Sequence, residues 1–391
     1  MIVKSLLEND MYKFTMWQAM LHNNPGAMAE YRFLCRSTPE YPLSQLAGDL
    51  NNELDHLCTL SFQQDELDYL KSLQLFSADF IAFLAIFRFQ RDFIRVAVEK
   101  DSLMIEAEGP QIHVMGFEIF CLYLVSELYF RRFDQAALLR ESRSRLRQKI
   151  GLIKQYQFNR KHPFEFFDFG LRRRWSGAWQ DETVQTLKAE LPACFKGTSN
   201  VYLAKKYNLT PTGTMAHEYL QSYQASGYNL RDFQKKALTD WLKEFNGSLA
   251  IALTDTISMD AFLNDFDRPL ASLYEGMRHD SSCPFTWGEK ALAHYAKLNI
   301  DADTKRLVFS DGLDFPLALK LYEHFADRIK VGHGIGTHLT NDAGIKPLNI
   351  VMKLMNLNGR PVAKLSDAPG KTLCEDDVYV AYLKQIFNYA A

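Results

Sequence analysis

A chain of 391 residues with 47% hydrophobic and 24% charged side chains has an ordinary globular composition. Its formal net charge of −2 leaves no excess of positive charge for a nucleic acid or an anionic membrane surface. The six cysteines are scattered without a C-x-x-C pair, which is the usage of a reduced, cytosolic protein that needs no disulfide or metal staple.

The opening MIVKSLLENDMYKF places Glu8 and Asp10 where a signal peptide is apolar, so no targeting segment is expected. The first part of the chain mixes element types. ENDMYKFTMWQAMLHN reads as a helix and EYRFLCRS (30–37) as a strand. QDELDYLKSL is helical, and RVAVE (95–99) with DSLMIEAEGP (101–110) reads as a hairpin. GFEIFCLYLVSELYF (116–130) is the most apolar stretch. Glu118 and Glu127 interrupt it, and the reading is a buried core helix rather than a membrane span.

From about residue 140 the pattern changes. RESRSRLRQKIGLIKQY is a basic amphipathic helix, and about seven units follow in which a short apolar run ends in a polar or Gly-rich cluster and leads to a helix. Their strand-like parts are FEFFDFG, PACFKGTSN, the stretch before HEYLQSYQAS, SLAIALTDT, SLYEGMRHDSS, RLVFSDGLD and DRIKVGHGIGTHL. Repeated βα units predict a parallel sheet, and their number, without an opening dinucleotide loop, favours a closed barrel over an open doubly wound sheet. Barrel chemistry sits at the C-terminal ends of strands. This chain collects Arg172, Ser199, Thr214, His217, Asp255, Arg278, Asp280, Asp311, Gly334 and Thr337 in that register, which points to an enzyme. The tail PLNIVMKLMNLNGRPVAKLSD reads as two strands around Asn358-Gly359, and EDDVYVAYLKQIFNY as a last helix.

Each motif has a plain reading beside its chemical one. GHGIGT (332–337) is a glycine-rich turn that offers backbone N–H groups to a phosphate, or is simply a tight turn. GMRHDSS puts Arg278 and Asp280 on one side of a strand end, where the guanidinium suits a carboxylate or phosphate, or a surface salt bridge. SDGLD offers Asp311 beside Gly312 for ribose hydroxyls or a Mg²⁺-pyrophosphate, against a helix cap at Ser310 or Asp314. In FEFFDFGLRRR the phenylalanines are ordinary core residues, but Phe169 precedes a turn at the barrel mouth and can stack on a planar ring.

His217 follows a Gly-Thr turn in PTGTMAHEYLQSY. A zinc site of the H-E-x-x-H type fails, because Gln221 stands where the second histidine is needed. A hydrolase elbow G-x-S-x-G is absent. A structural histidine and a phosphoryl-accepting nucleophile both remain open from the chemistry alone.

The ordered set ENDMYKFTM, DFGLRR, GTSN, PTGTMAHEY, GMRHDS, FSDGLD, GHGIGT, KPLNIVMKL and VAKLSD resembles the nicotinate phosphoribosyltransferases over nearly the whole chain. The resemblance implies a type II phosphoribosyltransferase fold of class α/β. An irregular, incomplete α/β barrel (141–345) would be joined to an N-terminal α/β domain (1–140) that is completed by the C-terminal segment (346–391). It implies transfer from phosphoribosyl pyrophosphate (PRPP) to nicotinate, giving nicotinate mononucleotide and pyrophosphate with ATP hydrolysis, in NAD synthesis. His217 matches the histidine that ATP phosphorylates, with Arg278 and Asp280 as further catalytic positions. Tyr12, Phe169, Thr214 and Arg278 match nicotinate contacts, Tyr12 from a neighbouring subunit. Arg172, Asp280, Asp311, Gly312, Gly334, Gly336 and Thr337 match positions around PRPP and its phosphates. A cytoplasmic homodimer with shared sites is implied, ATP being a co-substrate and Mg²⁺ arriving with PRPP and ATP rather than caged by protein. No nucleic-acid or membrane partner is expected.

The chemistry agrees: an oxocarbenium-like sugar, a departing pyrophosphate and a planar acceptor demand positioning and electrostatics above all. Relatives that take nicotinamide are expected to carry an acid near the end of the second barrel strand, and Lys196–Asn200 contains none. Quinolinate enzymes are expected to be shorter, with more cations. These two acceptors, and a catalytically silent PRPP-binding relative, are the alternatives. Trp175–Trp179 is read as a variable segment with no assigned chemistry.

Overall fold

The computed structural model describes residues 1–367, 372 and 374–389. They form two compact units: Met1–Tyr156, Phe167–Gly213 and Ile335–Lys353 make the first, and Gln157–Phe166, Thr214–Gly334 and Leu354–Ala391 the second.

The first unit holds an antiparallel sheet built on β1 (Met28–Cys35), β2 (Ile94–Glu99) and β3 (Ser102–Pro110), with β3 between the other two. Ala29, Tyr31 and Phe33 on β1, and Leu103, Ile105 and Ala107 on β3, point inward with the period of two that a half-buried strand requires. The expected hairpin is present and turns through Lys100 and Asp101, both left-handed at φ 46° and 65°. The helix Phe117–Phe130 is buried along its whole length. The stretch Gln111–Phe130 is long and apolar enough to cross a membrane by composition, yet 89% of its apolar window is buried inside the protein, as a core helix requires.

All seven expected βα strands form. In the first unit β4 (Phe166–Asp168), β5 (Phe195–Thr198) and β6 (Thr210–Pro211) run parallel in the order β6-β5-β4. In the second, β7 (Ile251–Leu253), β8 (Gly276–His279), β9 (Arg306–Phe309) and β10 (Lys330–Ile335) run in the order β10-β9-β8-β7. β4 and β10 each contribute residues to both units. The close approach of β8 to β9 needs a glycine: a Cβ on Gly276 would stand 1.9 Å from the Arg306 carbonyl oxygen.

The incomplete α/β barrel is borne out, and the closed ring is corrected: β6 and β7 are both edge strands. β6 has two residues, one of them Pro211, which has no N–H to donate. The carbonyl of Ile251 on β7 takes the Thr214 hydroxyl instead, at 3.1 Å. Of the C-terminal segment, β11 (Ile350–Leu357) begins beside β1 in the first unit, while the chain from Leu354 belongs to the second. Farther on, in the second unit, β11 turns through Asn358 (φ 53°) and Gly359 (φ 70°) into β12 (Arg360–Pro361), as expected. The last helix, Asp377–Ile386, also forms.

Candidate active site

His217 opens the helix His217–Gln224 in the second unit and is 6% exposed. Its Nε2 lies 2.8 Å from Asp255 Oδ1 and its Nδ1 3.7 Å from Asp280 Oδ2. Asp255 follows the end of β7, and Asp280 is the first residue past β8. The ends of two parallel strands thus aim two carboxylates at one imidazole. Lys364 comes from the segment after β12 and places Nζ 2.7 Å from Asp255 Oδ2 and 3.9 Å from Asp280 Oδ2.

Burial, with the Lys364 charge added, pushes the His217 imidazole down to about 4, so it is neutral near pH 7. Burial alone would raise the Asp255 carboxyl, but the His217 contact and the Lys364 ammonium more than cancel it and hold it well below the usual range. A neutral imidazole facing an ionised carboxylate carries its proton on that nitrogen. Nε2–H therefore donates to Asp255, and Nδ1 keeps a lone pair directed toward Asp280. Desolvation is also the largest influence on Asp280 and opposes its ionisation, but Lys364 together with the smaller contributions of His217 and Arg278 holds its carboxyl below the usual range.

Arg278 sits on β8, where Thr254 Oγ1 donates to its carbonyl at 3.1 Å and Trp287 Nε1 donates to Thr254 Oγ1 at 2.9 Å. Its buried Nε has no hydrogen-bond partner among the described residues, which fits a donor waiting for a carboxylate or phosphate. Ser310 Oγ donates to the His279 carbonyl at 2.9 Å and approaches Asp280 Oδ1 at 3.3 Å, so Asp311 and Gly312 follow directly after a residue of this cluster. Asp314, not Ser310, caps the next helix, accepting from Leu317 N at 2.8 Å.

Of the expected site residues, Thr214, His217, Arg278, Asp280, Asp311, Gly312 and Gly334 belong to the second unit, and Tyr12, Phe169, Arg172, Gly336 and Thr337 to the first. The second unit brings His217, Asp280 and Arg278 together. Thr214 uses its hydroxyl on Ile251. The GHG of GHGIGT is not a turn: Gly332, His333 and Gly334 lie inside β10, and the chain turns only at Gly336 before the short helix Thr337–Thr340. A strand partner explains this, since His333 N donates to the Glu165 carbonyl at 3.0 Å.

In the first unit Phe169 follows β4, and its ring stacks on Phe167 with centroids 6.2 Å apart. The turn after it needs Gly170, where a Cβ would stand 2.2 Å from Thr340 Cγ2. The three arginines have three fates. Arg172 is half-buried and acts electrostatically on Asp10 and Glu118. Arg173 holds the Ile350 carbonyl at 2.9 Å, and Arg174 is fully buried. The segment 175–179 is a helix start rather than a variable insert: Ser176 caps Gly177–Glu190, and Trp175 Nε1 donates to Ser142 Oγ at 3.1 Å. Tyr12 is 9% exposed, and its backbone lies against Gly213.

Sequence reasoning gave no role to Lys364 or Asp10. Lys364 had a signal, a lysine between the buried Val362, Ala363 and Leu365, which must find a counter-charge. Asp10 had none. It accepts from Ser199 Oγ at 2.5 Å and is fully buried, burial pushing its carboxyl up to about 6. The stretch 196–200 contains no acid, but Asp10 brings one to it.

His217, Asp255 and Asp280 offer one donor atom each within 4.8 Å of one another. The Lys364 ammonium already faces both carboxylates, and a histidine is a poor ligand for Mg²⁺, so this trio does not fit a resident Mg²⁺. The half-buried Asp280 and Asp311 fit an ion whose other ligands are substrate oxygens and water.

Two family profiles match the chain: the nicotinate phosphoribosyltransferase (NAPRTase) N-terminal domain over residues 7–126, and the NAPRTase family over residues 164–391. The nicotinate phosphoribosyltransferase of Herminiimonas arsenicoxydans is 63% identical over 392 residues, covering 100% of this chain and 99% of its own. That of Chromobacterium violaceum is 52% identical over 394 residues, covering 100% and 98%. Among solved structures, nicotinate phosphoribosyltransferase from Vibrio cholerae superposes with a TM-score of 0.94 at 40% identity, covering 100% of this chain and 95% of that one. The enzyme from Porphyromonas gingivalis does so with 0.89 at 33% identity, covering 99% and 100%.

Proposed function

The chain belongs to the nicotinate phosphoribosyltransferase family, and we propose that it couples ATP to phosphoribosyl transfer through a phosphoryl group carried on His217. As a nicotinate phosphoribosyltransferase it is an enzyme of NAD biosynthesis. In the proposed reaction nicotinate and PRPP give nicotinate mononucleotide and pyrophosphate, while ATP and water give ADP and phosphate.

The observation that carries the proposal is the Asp255–His217 contact at Nε2, 2.8 Å long, which in the neutral imidazole places the proton there and leaves Nδ1 as the nucleophile. Nδ1 attacks the γ-phosphorus of ATP, an N–P bond forms, the bond to the β–γ bridging oxygen breaks and ADP leaves. Asp255 balances the positive charge that develops on the ring. Lys364, beside both carboxylates, is placed to meet the oxygens of the transferred phosphoryl group. Water later attacks phosphorus, the N–P bond breaks and His217 regains its lone pair. Mg²⁺ brought with PRPP would be held by Asp280 and Asp311 with substrate oxygens, and supplies charge neutralisation for the leaving pyrophosphate. Arg278 would use its unpaired Nε on the nicotinate carboxylate or a phosphate. Tyr12 and Phe169 would face the nicotinate ring, and Arg172, Gly312, Gly334, Gly336 and Thr337 would surround PRPP. The six free thiols suit a cytoplasmic setting.

Labelling with γ-phosphate-labelled ATP tests the central step. The expected label is acid-labile and alkali-stable, and absent in His217→Asn. Equal label in that variant rules out His217 as the carrier.

A further inference from the structure

The helix that opens on His217 ends on Gln224, and this glutamine holds the chain segment that supplies Lys364. Gln224 is buried. Its Nε2 donates to the Ala363 carbonyl at 2.8 Å, and its Oε1 accepts from Ala363 N, also at 2.8 Å. One side-chain amide thus takes both backbone groups of one residue, as a neighbouring strand would. Ala363 N can only donate, which fixes the orientation of the amide. The Tyr379 hydroxyl, from the last helix, donates to the same Oε1 at 3.0 Å and holds it there.

On the other side of Lys364, Leu365 N donates to the carbonyl of Thr256, the residue after Asp255, at 2.9 Å. The lysine therefore stands between two backbone anchors. One belongs to the helix that carries His217, the other to the segment that carries Asp255. Its ammonium closes the loop on Asp255 Oδ2 at 2.7 Å and faces Asp280 Oδ2 at 3.9 Å. All of these residues lie in the second unit.

A lysine head is a point charge on a flexible four-carbon stem, so it is placed only as well as its backbone. Ala363 is fully buried, and its N–H and C=O must find partners. β12 stops at Pro361, two residues short, and Gln224 takes the place of a ladder. A partner from any element would satisfy Ala363. A partner from the His217 helix also ties the ammonium to the imidazole, so that the two keep their spacing.

We propose that Gln224 is a positioning residue for Lys364, holding its ammonium where it meets the oxygens of the phosphoryl group passing from ATP to His217 Nδ1. This rests on the reading that His217 carries that group. Gln224→Met keeps the length of the side chain and removes all three hydrogen bonds of the amide. Tyr379→Phe is a milder cut that removes one and leaves Gln224 in place.

The rate at which γ-phosphate-labelled ATP labels His217 in the full chain, at saturating ATP and with circular dichroism to establish folding, tests the proposal. Lys364→Met is expected to slow labelling roughly a hundredfold. Gln224→Met is expected to slow it roughly tenfold and Tyr379→Phe roughly threefold. In the Lys364→Met background both of these effects should disappear, because a positioning residue then has nothing to place, whereas a purely structural role would persist. A wild-type rate in folded Gln224→Met, or an effect that multiplies undiminished with that of Lys364→Met, overturns the proposal. If Gln224→Met does not fold, the same two outcomes are read from Tyr379→Phe. A wild-type rate in Lys364→Met overturns it as well, and leaves His217 as the carrier. If no label enters the wild type, or His217→Asn takes it equally, the phosphohistidine reading falls and this inference with it.

Discussion

Burial decides what His217 can do. An exposed imidazole is half protonated near pH 6.5, and a protonated one has no lone pair to give. In the fold the side chain is pushed down to about 4, so Nδ1 stays available through the physiological range. The same shift costs stability in acid. Between about pH 6.5 and 4 the unfolded chain binds a proton on this residue that the folded chain does not, so stability falls as pH drops through that window, by about 3 kcal/mol in all. Urea unfolding between pH 7 and pH 4.5 should therefore show a steeper loss for the wild type than for His217→Asn, and parallel curves would contradict the assigned neutral state. Asp10 has the opposite linkage: its raised carboxyl makes the folded chain bind the extra proton, which favours the fold as pH falls toward 4. The place of His217 was legible in the sequence because a Gly-Thr turn at a strand end is a local signal. Asp10 was not, since its meeting with Ser199 spans 189 residues and leaves no mark on the residues around either. Arg172, Arg173 and Arg174 look alike in sequence, and only the fold separates a half-buried charge, a backbone clamp and a fully buried charge.

At the scale of elements, legibility followed the locality of the cause. Apart from the two-residue β6, the strands from β4 to β10 were each recognisable as an apolar run stopped by polar residues. Whether the ring closes depended on β6 and β7, of two and three residues, and on Pro211 lacking a donor, details finer than strand limits read from sequence. GHGIGT was misread as a turn because glycine is a turn signal by composition, while Glu165 supplies a ladder partner that glycine does not exclude. The two hairpins make a controlled comparison. Asn358-Gly359 is the preferred pair for a turn with both central residues left-handed, and Lys100-Asp101 adopts the same signs of φ without a glycine. Asp101→Gly should relieve the strain at φ 65° and lose part of that gain to the entropy of the unfolded chain. The expected net effect is a stabilisation of about 0.5–1 kcal/mol, read as a higher urea midpoint at unchanged slope, with kinetic constants unaltered. A lower midpoint would show that Asp101 contributes a contact worth more than the strain.

For the whole molecule the open matter is which chain each Tyr12 serves. In its own chain Tyr12 is nearly buried, and its backbone lies against Gly213, so a role in its own site and a role in a partner's site are both chemically sensible. The family resemblance favours the partner in a homodimer, and subunit mixing distinguishes the two by counting. Take Tyr12→Ala and His217→Asn chains, each severely impaired alone, and let equal amounts exchange subunits. Half of the dimers are then mixed. If Tyr12 completes the partner's site, a mixed dimer gathers both lesions in one site and leaves the other intact, and about a quarter of wild-type activity returns. If Tyr12 serves its own chain, every site in every dimer carries one lesion and nothing returns. Native mass spectrometry establishes that mixed dimers are present, so an absence of recovery assigns Tyr12 to its own chain. Recovery near a quarter makes dimerisation a condition of catalysis, and dilution below the dissociation constant of the dimer should then abolish wild-type turnover while leaving the phosphorylation of His217 by ATP, which draws on the second unit of a single chain, in place.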